Sequence, residues 1–399
     1  MTPPRLRPLL GLAFACIAWG LTACGGGAPA TSPPPVSPAA PPLAVYVGTY
    51  TDGGSRGIYR FELDPASGAL TDPVLAVEAE NPSFLALHPG GRVLYAVNEI
   101  GSFGGAKTGA VSAFAIDAAT GSLTRLGQQA SGGADPCHLV VDRGGRNLLV
   151  ANYTGGTVAV LPLDGKGRPS PASAVRQQVG TGPDRERQEA AHAHAIVLDP
   201  AERFALAADL GADRIFVYRY GAASGTLEPN DPGAAPLDPG SGPRHLAWHA
   251  SGEYLYAIDE LRSTVTALRY DAKRGVLEPF QTITTLPAGF SGKNKAAEIA
   301  VSPDGRFLYA SNRGDDSLAM FGIDAASGAL VPAGRFPTGG RSPRHFAIDP
   351  SGRWLLVANQ DSDSITLFRL DAATGRPARV GQPLPIGKPV CLLFASPRG

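Results

Sequence analysis

Apolar strands return along this chain with a long and regular period. One strand recurs seven times, as VYVGTY (45–50), LYAVNE (94–99), LLVANY (148–153), ALAADL (205–210), LYAIDE (255–260), LYASNR (308–313) and LLVANQ (355–360). Successive copies start 49, 54, 57, 50, 53 and 47 residues apart, which suits four strands of ordinary length joined by tight turns. Ahead of six copies lies another apolar strand and a turn, as in LALHPGGR, IAVSPDGR and FAIDPSGR, with Pro and Gly where a hairpin needs them. A third strand follows each copy. A five-residue turn then recurs, in which Asp64, Asp117, Asp271, Asp324 and Asp371 each stand four positions before a glycine. Gly221 and Gly225 keep that spacing in the fourth repeat, while the third shortens it at Asp164.

Four-stranded sheets repeated seven times cannot bury their faces singly, but stacked around an axis they cover one another. The pattern therefore predicts an all-β, seven-bladed β-propeller over residues 43–399. The first repeat lacks its leading strand, and an orphan strand, VCLLFAS (390–396), follows the last. The C-terminal strand is expected to complete the N-terminal blade and so remove an open sheet edge.

Composition agrees with a strand-and-turn protein. Among 399 residues are 50 glycines and 37 prolines, too many for a mostly helical chain. Basic and acidic side chains balance at 35 each, without the basic excess that a nucleic-acid binder shows. The N-terminus differs from the rest. Arg5 and Arg7 precede an apolar run from Leu9 to Leu21, too short to span a membrane, and the pattern reads as an export signal over residues 1–23. Leu21-Thr22-Ala23-Cys24 resembles the lipobox of bacterial lipoproteins, which implies lipidation at Cys24 and a periplasmic protein anchored to a membrane face without spanning it. Residues 24–42, with seven prolines and no charge, read as an extended tether. Cys137 and Cys391 fall in different blades, so two free, mostly buried thiols are expected.

The register also nominates a site. The start of each blade's first strand and the end of its second open onto the same face beside the axis. By the repeat alignment, the first-strand positions hold Phe84, His138, His194, His245, Glu298, His345 and Cys391, with Arg244 and Arg344 one residue earlier. The second strands end in Asn98-Glu99, Asn152-Tyr153, Asp209-Leu210, Asp259-Glu260, Asn312-Arg313 and Asn359-Gln360. Four of seven histidines thus share one repeat position, which scattered structural histidines would not do. Such imidazoles suit acid–base work near neutral pH. They also invite a metal, but Arg244, Arg313 and Arg344 would repel a divalent ion and suit an anionic substrate, so no metal and no cofactor are expected. His88 and His249 fall in turns on the opposite face and are expected to be merely solvated, while His192, two residues before His194, is left open between flanking the site and a plain structural place.

Several segments then resemble the bacterial 6-phosphogluconolactonase-type lactonase family. They are GTYT (48–51), GIYRFELD (57–64), GTGPDRERQEAAHAH (180–194), DLGAD (209–213), GPRH (242–245), AEIAVSPDGRFLYASNRG (297–314) and PRHF with VANQ (343–360). The resemblance implies a seven-bladed propeller acting on a small anionic or sugar lactone. A related muconate cycloisomerase uses a histidine, an arginine, a glutamate sixteen residues later and a further arginine, and His194, Arg244, Glu260 and Arg313 match that set. The expected catalytic residues are these four, with His194 or Glu260 activating water. Expected substrate contacts are His138, His245, Arg344, His345, Gln360 and, from the loop entering the fourth blade, Arg187 and Gln188. The G-x-S-x-G string at Gly53–Gly57 falls in a turn between two strands of the first repeat and is no nucleophile elbow, which favours direct water attack over a covalent intermediate. A cycloisomerase, or a non-enzymatic ligand- or protein-binding propeller, would fit the same fold.

Overall fold

In a computed structural model, which describes residues 41–395, the chain forms seven sheets of four antiparallel strands each. The leader, Cys24 and nearly all of the tether lie outside the described residues. Blade 1 is assembled from both ends of the propeller: Pro389–Ala395 pairs with Leu43–Thr49, followed by Gly57–Leu63 and Val74–Glu78. Blades 2 to 7 follow in chain order. Their innermost strands are Leu85–Leu87, Pro136–Val141, Ala193–Leu198, Pro243–Trp248, Lys295–Val301 and Pro343–Ile348. With Pro389–Ala395 they contact one another in a closed ring of seven around the axis.

The second strand of each blade is the recurrent hexapeptide. It is buried along its whole length in blades 2 to 5 and 7, because both of its faces are covered by neighbouring blades. That explains why these strands read as continuous apolar runs rather than alternating ones. Each interblade seam carries its own apolar cluster. Tyr95 and Val97 of blade 2, for example, pack on Leu139, Leu148 and Val150 of blade 3. Fully burying one such side chain contributes about 1.5–3 kcal/mol, so the seams dominate the fold's stability.

Polar struts cross the same seams. The second residue of the hexapeptide is tyrosine in four repeats, and each hydroxyl donates to the carbonyl of the turn glycine of the next blade. Tyr46 reaches Gly121 (2.7 Å), Tyr95 reaches Gly167 (2.8 Å), Tyr256 reaches Gly328 (2.9 Å) and Tyr309 reaches Gly375 (2.5 Å). The Asp-to-Gly spacing read from sequence closes these turns, as in Gly328 N to Asp324 O at 2.8 Å. Gly328 has φ 71°, and a Cβ there would lie 2.4 Å from the Tyr254 ring, so both backbone and packing demand glycine.

His88 and His249 are not merely solvated. His88 Nε2 lies 3.2 Å from the Gly145 carbonyl and His249 Nε2 lies 3.1 Å from that of Gly305, so each ties its turn to that of the following blade. Cys137 and Cys391 are free and buried, and burial pushes both thiols well above the ordinary range.

Candidate active site at the channel mouth

The innermost strands do not run straight into the second strands. In blades 3 to 7 their pairing slips near the first residue, at Pro136/His138, Ala193/Ala195, Pro243/His245, Ala296/Ile299 and Pro343/His345. A bulge re-aims the extra side chain. In blades 3, 4, 5 and 7 that residue is Cys137, His194, Arg244 and Arg344. This corrects the alignment of the histidines. His194 stands level with Arg244 and Arg344, one step from His138, His245 and His345, and Ala195 takes the histidine position in blade 4. Four histidines sharing one position are therefore three plus one.

The three form a plug. Phe84, His138, His245 and His345 meet on the axis with ring centroids 4.3–5.8 Å apart, all but Phe84 buried. His138 Nδ1 accepts from Ile196 N (3.4 Å) and His345 Nδ1 from Leu392 N (3.2 Å), each bond linking adjacent blades. Glu298 lies between His245 Nδ1 (2.9 Å) and His345 Nε2 (3.3 Å). Burial dominates their protonation: it lowers His138 to about 3, holds His245 well below the histidine range and raises Glu298. These histidines close the channel rather than ring its rim.

Above the plug stands Glu260, 3% exposed, at the centre of a guanidinium cluster. Oε1 accepts from Arg187 (2.7 Å), Oε2 accepts from Arg313 (2.7 Å), and Arg244 Nε lies 3.0 Å from Oε2. Burial opposes ionisation of Glu260, but Arg313 and Arg244 outweigh it and hold the carboxyl well below its usual range. Arg244 Nη1 donates to the Ala297 carbonyl (2.7 Å) and lies 3.3 Å from His245 Nε2. Arg187 also donates to the Tyr153 hydroxyl (3.2 Å), while its buried Nη1 has no hydrogen-bond partner among the described residues. One carboxylate facing three guanidiniums leaves an excess of positive charge. Lys295 feels it: burial first, then the charge of Arg187, lowers its ammonium.

His194 is 5% exposed and edge-on to both Tyr153 and His245. Burial, then the charge of Arg244, keeps it neutral well below the ordinary histidine range. Its Nδ1 lies 3.7 Å from Cys137 Sγ, while its Nε2 makes no hydrogen bond among the described residues. His192 does flank this group, stacked on Tyr153 at 4.6 Å.

Gln188 and Gln360 stand apart from the cluster. Gln188 is fully buried and donates to Asp213 (2.7 Å) and the Leu210 carbonyl (2.8 Å), so it pins the loop that carries Arg187. Gln360 opens a short 3-10 turn on the rim of blade 7. Arg344 joins a different group across the mouth, donating to the Tyr50 hydroxyl (2.7 Å), which in turn donates to Glu99 (2.9 Å). Tyr50, Lys295 and Asp213 were not among the residues singled out from sequence. Tyr50 could have been, because it ends its hexapeptide just as Glu260 and Arg313 end theirs. Among the described residues no group of three His, Cys, Asp or Glu side chains is placed to hold a metal ion.

Fold and site together define a closed seven-bladed propeller that gathers buried, oppositely charged side chains at one end of its axis. A family described as "Lactonase, 7-bladed beta-propeller" matches residues 44–394, and the chain belongs to that family. It is 38% identical over 301 residues to a 6-phosphogluconolactonase of Bacillus subtilis, covering 75% of this chain and 83% of that one. Among solved structures, a periplasmic gluconolactonase of Pseudomonas aeruginosa superposes with TM-score 0.84 at 37% identity, covering 89% of this chain and 99% of that one. A putative 6-phosphogluconolactonase from Bacteroides fragilis gives TM-score 0.83 at 38% identity, covering 89% and 98%.

Proposed function

We propose that this protein hydrolyses a sugar lactone by direct attack of water at the channel mouth. The observation that carries the reading is the buried His194, whose Nε2 makes no hydrogen bond among the described residues, at a mouth where Arg187, Arg244 and Arg313 share the single counter-charge of Glu260. The names of the relatives support a lactone as the substrate class.

Lactone opening needs a base for water and a positive environment for the oxyanion. Of the two bases expected from sequence, His194 is the better placed. Glu260 has both oxygens committed to guanidiniums and serves to hold the arginines, whereas His194 Nε2 makes no hydrogen bond among the described residues. His194 Nε2 takes a proton as the water oxygen bonds to the lactone carbonyl carbon. The arginine cluster stabilises the resulting oxyanion. Collapse breaks the ring C–O bond, and the imidazolium returns its proton to the departing alkoxide. The product is an open-chain hydroxy acid whose carboxylate meets the same cations.

An export signal and a lipid anchor at Cys24 would place this reaction in the periplasm, the compartment named for the Pseudomonas aeruginosa relative. An extracytoplasmic sugar lactone is then the substrate to test first. Acid release by the purified protein from glucono-δ-lactone and its 6-phosphate, above spontaneous hydrolysis, decides the matter, with His194→Ala as the control. Turnover lost in that control supports the reading. No rate above background on either lactone sinks it and leaves a cycloisomerase or a binding propeller.

A further inference from the structure

The channel mouth holds a second carboxylate at the same repeat position as Glu260, in the opposite kind of surroundings. Glu99 ends its hexapeptide as Glu260 does, but its side-chain hydrogen bonds come from hydroxyls. Ser83 Oγ donates to Oε2 at 2.5 Å, and the Tyr50 hydroxyl lies 2.9 Å from Oε1 and 3.0 Å from Oε2. Its backbone carbonyl accepts from the Asn81 amide (3.3 Å), which fixes the strand end that presents it. Arg344 reaches this group through the tyrosine: Nη2 donates to the Tyr50 hydroxyl at 2.7 Å, and the guanidinium lies 5.2 Å from the ring centroid. Glu99, Tyr50 and Arg344 are all partly exposed.

The two sides of the mouth therefore differ in chemistry. Blades 4 to 6 present three guanidiniums against one carboxylate. Blades 7, 1 and 2 present one guanidinium, one carboxylate and a phenol, close to neutral in sum. We propose that Glu99, Tyr50 and Arg344 form a subsite for the hydroxyl groups of a polyhydroxylated substrate, whose carbonyl end lies against the Arg187, Arg244 and Arg313 cluster. A carboxylate has about four acceptor positions, and two hydroxyl donors leave room for more. A sugar hydroxyl donates to Glu99 and accepts from a free guanidinium N–H of Arg344, a pairing that neither a carboxylate nor a phosphate can complete beside Glu99. The subsite rests on the lactonase reading for the orientation of the substrate, but not for its existence.

Binding separates it from catalysis. Calorimetric titration of the purified protein with gluconate and with 5-hydroxyvalerate, which has a single hydroxyl and no polyol chain, compares wild type with Glu99→Gln and Tyr50→Phe. Tyr50→Phe deletes only an oxygen and guards against a folding artefact. Gluconate is expected to bind roughly tenfold more weakly to each variant, the usual effect of one hydrogen bond to a charged group, with 5-hydroxyvalerate unchanged. Equal loss for both ligands, no loss for either, or no binding of gluconate to wild type overturns the subsite. Intact Glu99-dependent binding without any lactone hydrolysis overturns the lactonase reading alone.

Discussion

Glu260 illustrates how one side chain can hold several others in place. Its carboxylate is the shared counter-charge of Arg187, Arg244 and Arg313, at 2.7, 3.0 and 2.7 Å. Replacing it by glutamine keeps the shape and leaves three buried or half-buried guanidiniums facing one another. Removing one partner of a buried ion pair costs about 3–5 kcal/mol, so Glu260→Gln should lower the denaturant midpoint as well as abolish turnover. A variant of wild-type stability would show that the cluster is held by something else. His194 makes a prediction about pH. Burial and Arg244 both disfavour its protonation, so the neutral, proton-accepting form persists as pH falls through 6.5. Turnover limited by this base is therefore expected to stay flat from pH 8 to pH 6 and to fall only at more acid values. An acid limb centred at or above the ordinary histidine value would remove His194 from the role of base.

At the scale of strands and turns, the repeat spoke most clearly where its physics is local. The hexapeptide, the Asp-to-Gly turn and the missing first strand were legible because strand period and turn geometry act over a few residues. The bulges were not, since the pairing slip that turns Cys137, His194, Arg244 and Arg344 out of step leaves no mark in composition. A one-residue slip reassigns every side chain beyond it, which is why His194 appeared to align with the plug histidines. Contacts between blades were equally hidden: the ties from His88 to Gly145 and His249 to Gly305 depend on how turns of different blades meet. The tyrosine struts lie between these cases, with a visible repeat and an invisible partner. They give a clean test. Tyr256→Phe leaves the buried ring in place and strips the Gly328 carbonyl of its donor, which should cost about 1–3 kcal/mol by denaturant unfolding. A loss near zero would mean that solvent replaces the hydroxyl and the strut contributes only packing.

For the whole molecule, gathering so many ionisable groups on one axis ties stability to pH. His138, His194, His245 and His345 are all held below the ordinary histidine value, with burial the largest cause in each. In the unfolded chain they protonate as pH falls through about 6.5, whereas in the folded protein they stay neutral to lower pH. The unfolded state then binds more protons, and stability, fully present above that value, is lost as pH falls. Glu298, Asp209 and Asp259 oppose this, because burial raises all three, Asp209 to about 6 and Asp259 to about 7, and lets the folded state take up protons that the unfolded chain does not yet bind. Four histidines less three carboxyls leave about one proton, or roughly 1.4 kcal/mol of stability per pH unit. The denaturant midpoint should accordingly fall only modestly between pH 6.5 and pH 5, well before ordinary carboxylates titrate. His138→Gln should flatten that slope by about one proton, near 1.4 kcal/mol per pH unit, because His138 is held down to about 3. A midpoint unchanged from pH 7 to pH 5 would mean that the plug takes up protons while folded, with water reaching the axis.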